Sequence, residues 1–141
     1  MTPAEIELVR ASWRGADTAA LVERLHALLF AAEPAVESLF LDEPASLRAK
    51  FEETLSAIVE GLDDPLEAGR RVRALGERHA GYGVLPRHYE LVEEALIDAL
   101  GETLGGGFDG ATERAWRRAY RALAEVMIDA ALDARPSPGG G

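Results

Sequence analysis

The 141-residue chain has no cysteine. That excludes a disulfide-stapled scaffold, a thiolate metal site and a cysteine nucleophile, and a reducing cytoplasm is the expected location. Lysine is almost missing too: Lys50 is the single lysine among fifteen Lys and Arg residues. Against them stand 25 Asp and Glu, for a formal net charge of −10. Nucleic acid and anionic membranes are therefore not expected as partners, because both require a basic face. No stretch of about 18 apolar residues occurs, so no membrane span is expected. The opening MTPAEIELVRASW lacks the basic and apolar regions of a signal peptide. Aromatic residues make up only 6% while hydrophobic residues reach 48%, so the core is expected to be mainly Leu, Ala and Val. The glycines at 105–107 are not followed by Lys-Ser/Thr, which rules out a phosphate loop, and no His/carboxylate cluster has zinc spacing.

What is present reads as helix throughout, in one domain over 1–135 with a disordered tail over 136–141. Thr2, Pro3 and Glu5 form the start signal of a first helix with Ile6, Val9 and Trp13 on its apolar stripe. A second spans 17–32, and Pro34 begins a short turn ending at Leu39-Phe40. After a short loop over 41–46, with Ser46 as candidate cap, Leu47, Phe51, Leu55, Ile58, Val59 and Leu62 recur at helical spacing. Leu66, Val72, Leu75 and His79 are assigned to one face of the next helix. Gly81, Gly83 and Pro86 break the chain, a helix over 87–104 carries Tyr89, Val92, Leu96, Leu100 and Leu104, GGGFDG is a flexible loop, and a last helix covers 110–134. Glu52, Glu53, Glu93 and Glu94 read as solvated surface charges.

His79 is a lone histidine on an apolar helix face. On spacing alone it is either a core histidine with satisfied nitrogens or a ligand pointing inward. His88, at the start of the following helix, reads as solvated.

The order of elements then adds information. LFAAEPAVESLF with Pro34 and Phe40, the pair His79/Tyr89 and AWRRAY come in sequence along the chain, which resembles the globin family over residues 3–134. The likeness is greatest to single-domain bacterial haemoglobins and the haem domain of flavohaemoglobins. The resemblance implies an all-α globin fold, a three-over-three helical sandwich around haem b, with a short loop between the third and distal helices. It implies His79 as the proximal iron ligand, with its other ring nitrogen held by a carbonyl of its own helix. Phe40 would stack on the porphyrin, and Val84 lies in the AGYGVLP segment that turns the chain under the haem.

On the open side the family pattern puts His26, Leu47 and Phe51, where bacterial relatives usually carry Tyr at the first position and Gln or His at the second. Three readings compete for His26: a hydrogen-bond donor to bound O2, a direct sixth ligand to iron, or a buried histidine paired with a backbone carbonyl. The first is preferred, since hydrogen bonds to charged acceptors contribute about 1.5–3 kcal/mol. Leu29, Phe30, Leu47 and Phe51 would form apolar walls that exclude water. Lys50 is a surface or propionate-reaching residue, or, if desolvation makes it neutral, a sixth ligand; Arg78, Arg87 and His88 are further propionate candidates.

Tyr89 matches the tyrosine of the flavohaemoglobin proximal network, but its glutamate position falls on Ala131, which weighs against peroxidase-like activation. The expected function is reversible binding of O2, NO or CO by a monomer or homodimer. Nitric oxide dioxygenation with an external reductase, or a haem-free sensor or interaction module, are the alternatives.

Overall fold

The computed structural model describes residues 1–40 and 43–134, and the expected tail over 136–141 lies outside them. Among the described residues seven α-helices follow one another: α1 Pro3–Arg14, α2 Thr18–Ala32, α3 Pro34–Glu37, α4 Pro44–Glu60, α5 Pro65–Gly81, α6 Pro86–Leu104 and α7 Gly110–Ala134. Five of them begin at a proline, whose fixed φ suits the first helical position and whose missing N–H is not needed there. Thr2 and Glu5 form the reciprocal capping box expected at α1.

Three local expectations change. α4 starts at Pro44, with Glu43 as its cap, so Ser46 lies inside the first turn; a proline at the first position specifies the start more strongly than a serine two residues on. Of the expected loop, residues 41–42 lie outside the described residues. Gly105–Gly107 form a 3-10 turn rather than a shapeless loop. Leu66 is 76% exposed: six residues before Val72, it sits about 120° round the helix from the stripe of Val72, Leu75 and His79.

The helices stack in two layers, α1, α4 and α5 over α2, α6 and α7. α5 packs along α7, α2 along α6, and α4 leans on α2 and α1. Trp13 and Trp116 meet at 6.1 Å between ring centres. Their indole N–H groups donate to Ser56 and Ser12 at 3.0 and 2.8 Å, tying α1 to α4 and α7. Around them Val9, Leu21, Val22, Leu25, Leu96 and Leu100 make the main core.

Gly76 decides where α5 sits. It is buried, and a Cβ placed on it would lie 2.4 Å from the Met127 carbonyl oxygen and 2.7 Å from Met127 Cα. The backbones of α5 and α7 thus touch, one turn before His79. Sequence reading passed over this glycine; a glycine inside an otherwise regular helix was the available signal.

Candidate haem site

α4 and α5 follow each other in the chain yet pack on other helices rather than closely on one another. Their apolar stripes are correspondingly incomplete in burial. α6 buries eight residues, whereas α4 buries only Val59, and α5 only Val72 and Gly76. Leu47, Phe51, Leu55, Ile58, Leu75 and Val84 are left half-buried. Half-buried apolar side chains on α4, on α5 and at the α5–α6 corner are surface that a flat apolar group could cover.

On α5, His79 is partly buried and its Nδ1 lies 2.7 Å from the Leu75 carbonyl oxygen, one turn back. A carbonyl only accepts, so Nδ1 carries the proton and donates; Nε2 is then a lone-pair donor suited to a metal. Burial lowers the His79 pKa, and the Leu75 bond partly opposes that; the net direction favours the neutral imidazole. The α5–α6 corner is built on the same residue. The His79 carbonyl accepts from the backbone N–H of Tyr82 and of Val84, each at 3.1 Å. Gly83, at φ +87, turns the chain there and lies against Leu39.

On α2, His26 is buried at 5% exposure. It stacks on Phe30 at 5.6 Å and meets Phe51 edge-on at 5.2 Å and Phe40 at 6.3 Å. Three of the four phenylalanines of the chain therefore surround one imidazole. No hydrogen bond reaches either of its ring nitrogens among the described residues. Desolvation, with a smaller contribution from the charge of Arg48, brings its pKa down to about 4. The expected carbonyl partner for a merely structural histidine is thus not found among the described residues.

The other sequence-derived candidates fall as follows. Phe40 is half-buried against His26 and Phe30. Leu47 and Phe51 are half-buried on α4, and Lys50 is exposed on it. Tyr89 is buried with Val72, Ala124 and Met127 beside half-buried Leu75 and Val84. Its main-chain carbonyl accepts from the Tyr120 hydroxyl at 2.5 Å. Ala131 is half-buried and offers no carboxylate.

Two expectations are corrected. His88 is buried at 7% rather than solvated: its Nδ1 accepts from the Leu85 backbone N–H at 2.9 Å, capping α6. Its neighbour Tyr89 faces the core, and the first turn of α6 carries both inward. Glu93 is also buried, because Arg117 and Arg121 of α7 reach across to it at 2.6 and 3.0 Å. Burial alone would raise its pKa; the two guanidinium groups outweigh it and lower the value.

The chain is an all-helical two-layer sandwich with a buried histidine on α2 and a partly buried one on α5. The globin family model matches residues 24–127. An engineered carbene transferase, described as a candidate nitric oxide dioxygenase from Rhodothermus marinus, superposes with a TM-score of 0.84 and is 30% identical, covering 94% of each chain. No curated protein matches the sequence. The chain belongs to the globin family, whose members generally bind haem and small gases. Among the described residues no helix is long and apolar enough to cross a membrane.

Proposed function

We propose that this globin holds haem b between α4 and α5 through His79 and reversibly binds a diatomic gas, O2 or NO, at the open side beneath His26. The observation that supports the reading is the Nδ1–Leu75 bond, which leaves Nε2 of His79 unprotonated with a lone pair free to ligate. Haem, when bound, supplies an iron position at which a gas can coordinate.

The chain's own residues do the rest. Leu75 fixes the His79 ring orientation and its tautomer. Phe40, stacked among the aromatic side chains near α4, supports the flat face of the cofactor, and Val84 and Tyr89 close the pocket beneath it. Leu29, Phe30, Leu47 and Phe51 keep water away from the gas. His26, neutral and clamped by three rings, presents an N–H to the outer atom of a polar diatomic ligand. That clamp favours hydrogen bonding over swinging onto the metal, so the sixth-ligand alternative is the weaker one for His26. Exposure of Lys50 favours its surface or propionate role. Nitric oxide dioxygenation with an external reductase is a second reading, favoured by the Rhodothermus relative; Tyr89 without an acidic partner at Ala131 weighs against peroxidase-like chemistry.

Reconstitution with haem tests the core of this. Wild type gains a Soret band, His79→Ala loses stable haem, and His26→Leu releases O2 roughly tenfold to a hundredfold faster while CO release changes little, as a lost charge-assisted hydrogen bond requires. A His79→Ala protein that retains wild-type haem affinity sinks the assignment.

A further inference from the structure

α5 and the corner after it are the basic part of an acidic chain. Residues 65–90 carry five arginines (Arg70, Arg71, Arg73, Arg78 and Arg87) against three carboxylates (Glu67, Glu77 and Glu90), in a chain of net charge −10. Arg70 faces Glu67 at 3.9 Å, and Arg73 pairs with Asp133 at 3.0 Å. Arg71, Arg78 and Arg87 are exposed and enter no ion pair among the described residues. Two exposed apolar side chains lie at the α5–α6 corner as well, Tyr82 at 57% and Leu85 at 40%.

Helical geometry puts these groups on one face. Tyr82 continues the turn of α5, its backbone N–H donating to the carbonyls of Arg78 and His79. At about 100° per residue, Arg71, Arg78 and Tyr82 fall within about 40° of one another and form a stripe about 16 Å long. Glu77 lies about 100° or more round the helix from each of them, so no carboxylate interrupts the stripe. Leu75 stands within about 60° of it, on the side of α5 that also carries His79. At the end of the stripe the Tyr82 ring is centred 6.4 Å from the His79 ring. A partner seated here is thus one aromatic side chain away from the proposed iron ligand.

We propose that the stripe of Arg71, Arg78 and Tyr82, with Leu85 and Arg87 at the α5–α6 corner, is the docking face for an acidic flavoprotein that donates single electrons. The inference rests on the haem-binding reading above and gives the external reductase of its second reading a place to bind. Charge complementarity names the partner: three uncompensated guanidinium groups attract carboxylates and can hold them in two-pronged pairs. Tyr82 and Leu85 supply the apolar centre around which such a contact excludes water. At physiological ionic strength the Debye length is about 8 Å, so the stripe rather than the net charge of the chain governs the contact. In the step it serves, the partner's reduced flavin gives up one electron and ferric haem becomes ferrous. No bond forms or breaks, and no proton crosses the interface.

The test titrates isotope-labelled, ferrous CO-bound holoprotein with oxidised flavodoxin, an acidic flavoprotein, and follows the backbone amide signals by NMR. Those of Arg71, Arg78, Tyr82, Leu85 and Arg87 are expected to move together, while Arg114 and its neighbours on α7 stay still. A variant combining Arg71→Gln, Arg78→Gln and Arg87→Gln is expected to raise the flavodoxin dissociation constant roughly tenfold, each exposed pair contributing about twofold. Arg114→Gln removes an equally exposed and unpaired charge about 20 Å along α7 from Met127, and it has no effect. Raising sodium chloride from about 0.1 to about 0.5 M weakens binding to wild type severalfold and to the triple variant little. Stopped-flow reduction of the ferric protein by reduced flavodoxin slows in parallel with the loss of binding.

A footprint on another face, or signals that do not move at all, overturns the proposal. So does a triple variant that binds flavodoxin as tightly as wild type, including the case in which it only loses haem faster because Arg78 or Arg87 pairs with a propionate. An equal loss in Arg114→Gln assigns the effect to net charge and overturns the docking face as well. Where the triple variant does not load haem, the wild-type footprint and its salt dependence decide alone, and an affinity indifferent to salt refutes the site. A wild-type protein that takes up no haem sinks the proposed function itself; haem uptake without flavodoxin binding at this face sinks only the docking site.

Discussion

Gly76→Ala adds one methyl group at the tightest place in the molecule. The new Cβ would stand 2.4 Å from the Met127 carbonyl oxygen, 2.7 Å from its Cα and 2.9 Å from its carbonyl carbon. An ordinary contact begins at about 3.5 Å, so α5 and α7 must separate by about 1 Å. Every atom in the way belongs to helix backbone, so no side-chain rotation can relieve the clash. Overpacking of this kind costs about 1–3 kcal/mol, and rigid backbone on both sides puts Gly76 at the upper end. Alanine returns about 1 kcal/mol of helix propensity, leaving a net loss of about 2 kcal/mol. For a chain of this length that is a fall of roughly 6–10 °C in melting temperature. Calorimetry of Gly76→Ala beside Gly69→Ala isolates the cause. Gly69 lies in the same helix with nothing within 4 Å of its virtual Cβ, so there the propensity gain stands alone and stability rises by up to about 1 kcal/mol. His79 lies one turn beyond Gly76, so the displaced helix is also expected to release haem faster in Gly76→Ala than in Gly69→Ala. A Gly76→Ala protein as stable as wild type refutes the backbone contact between α5 and α7.

Two further outcomes follow from buried charge. Glu93→Gln keeps the side-chain shape but removes the carboxylate that Arg117 and Arg121 share; chemical denaturation at pH 7 is expected to show a loss of about 1–3 kcal/mol, the lower part of the range for broken buried pairs because Arg121 is largely solvated. The folded-state pKa of Glu93 is depressed, so its contribution is present above the unfolded carboxylate value and fades as pH falls through the folded one. The difference between Glu93→Gln and wild type is thus expected to shrink in acid, and a pH-independent difference contradicts the ion-pair account. His26 also loses stability in acid, but because burial holds it neutral rather than charged. Its folded pKa, near 4 against 6.5 for the free side chain, means the unfolded chain binds the extra proton first. Stability is then lost as pH falls from about 6.5 to 4, by roughly 3 kcal/mol at most at 1.36 kcal/mol per unit. Thermal melts of His26→Leu across that range are expected to show a shallower decline than wild type, and parallel curves contradict a neutral buried imidazole.

The helices were legible because each apolar stripe repeats at 3.6 residues and five of the helices open on proline. The failures have specific causes. Ser46 resembles a cap, but Pro44 pre-empts it. Leu66 sits near the stripe in sequence and away from it in angle. His88 and Glu93 look like surface residues because their types are usually solvated. Their burial depends on groups remote from their side chains' own preferences: the Leu85 N–H that His88 caps, and Arg117 and Arg121, some 24 and 28 residues from Glu93.

By itself the sequence determined the helical class, the order of elements and the inward position of His79, because periodicity, prolines and glycines act over a few residues. It also fixed the composition, since no cysteine, one lysine and a strongly acidic balance hold whatever the fold. Tertiary structure alone decided that Leu75 holds Nδ1 of His79, that three phenylalanines enclose His26, and that α5 meets α7 through Gly76. Those facts depend on how closely helices approach and which groups lose water when they do, and neither quantity is written in the local pattern of residues.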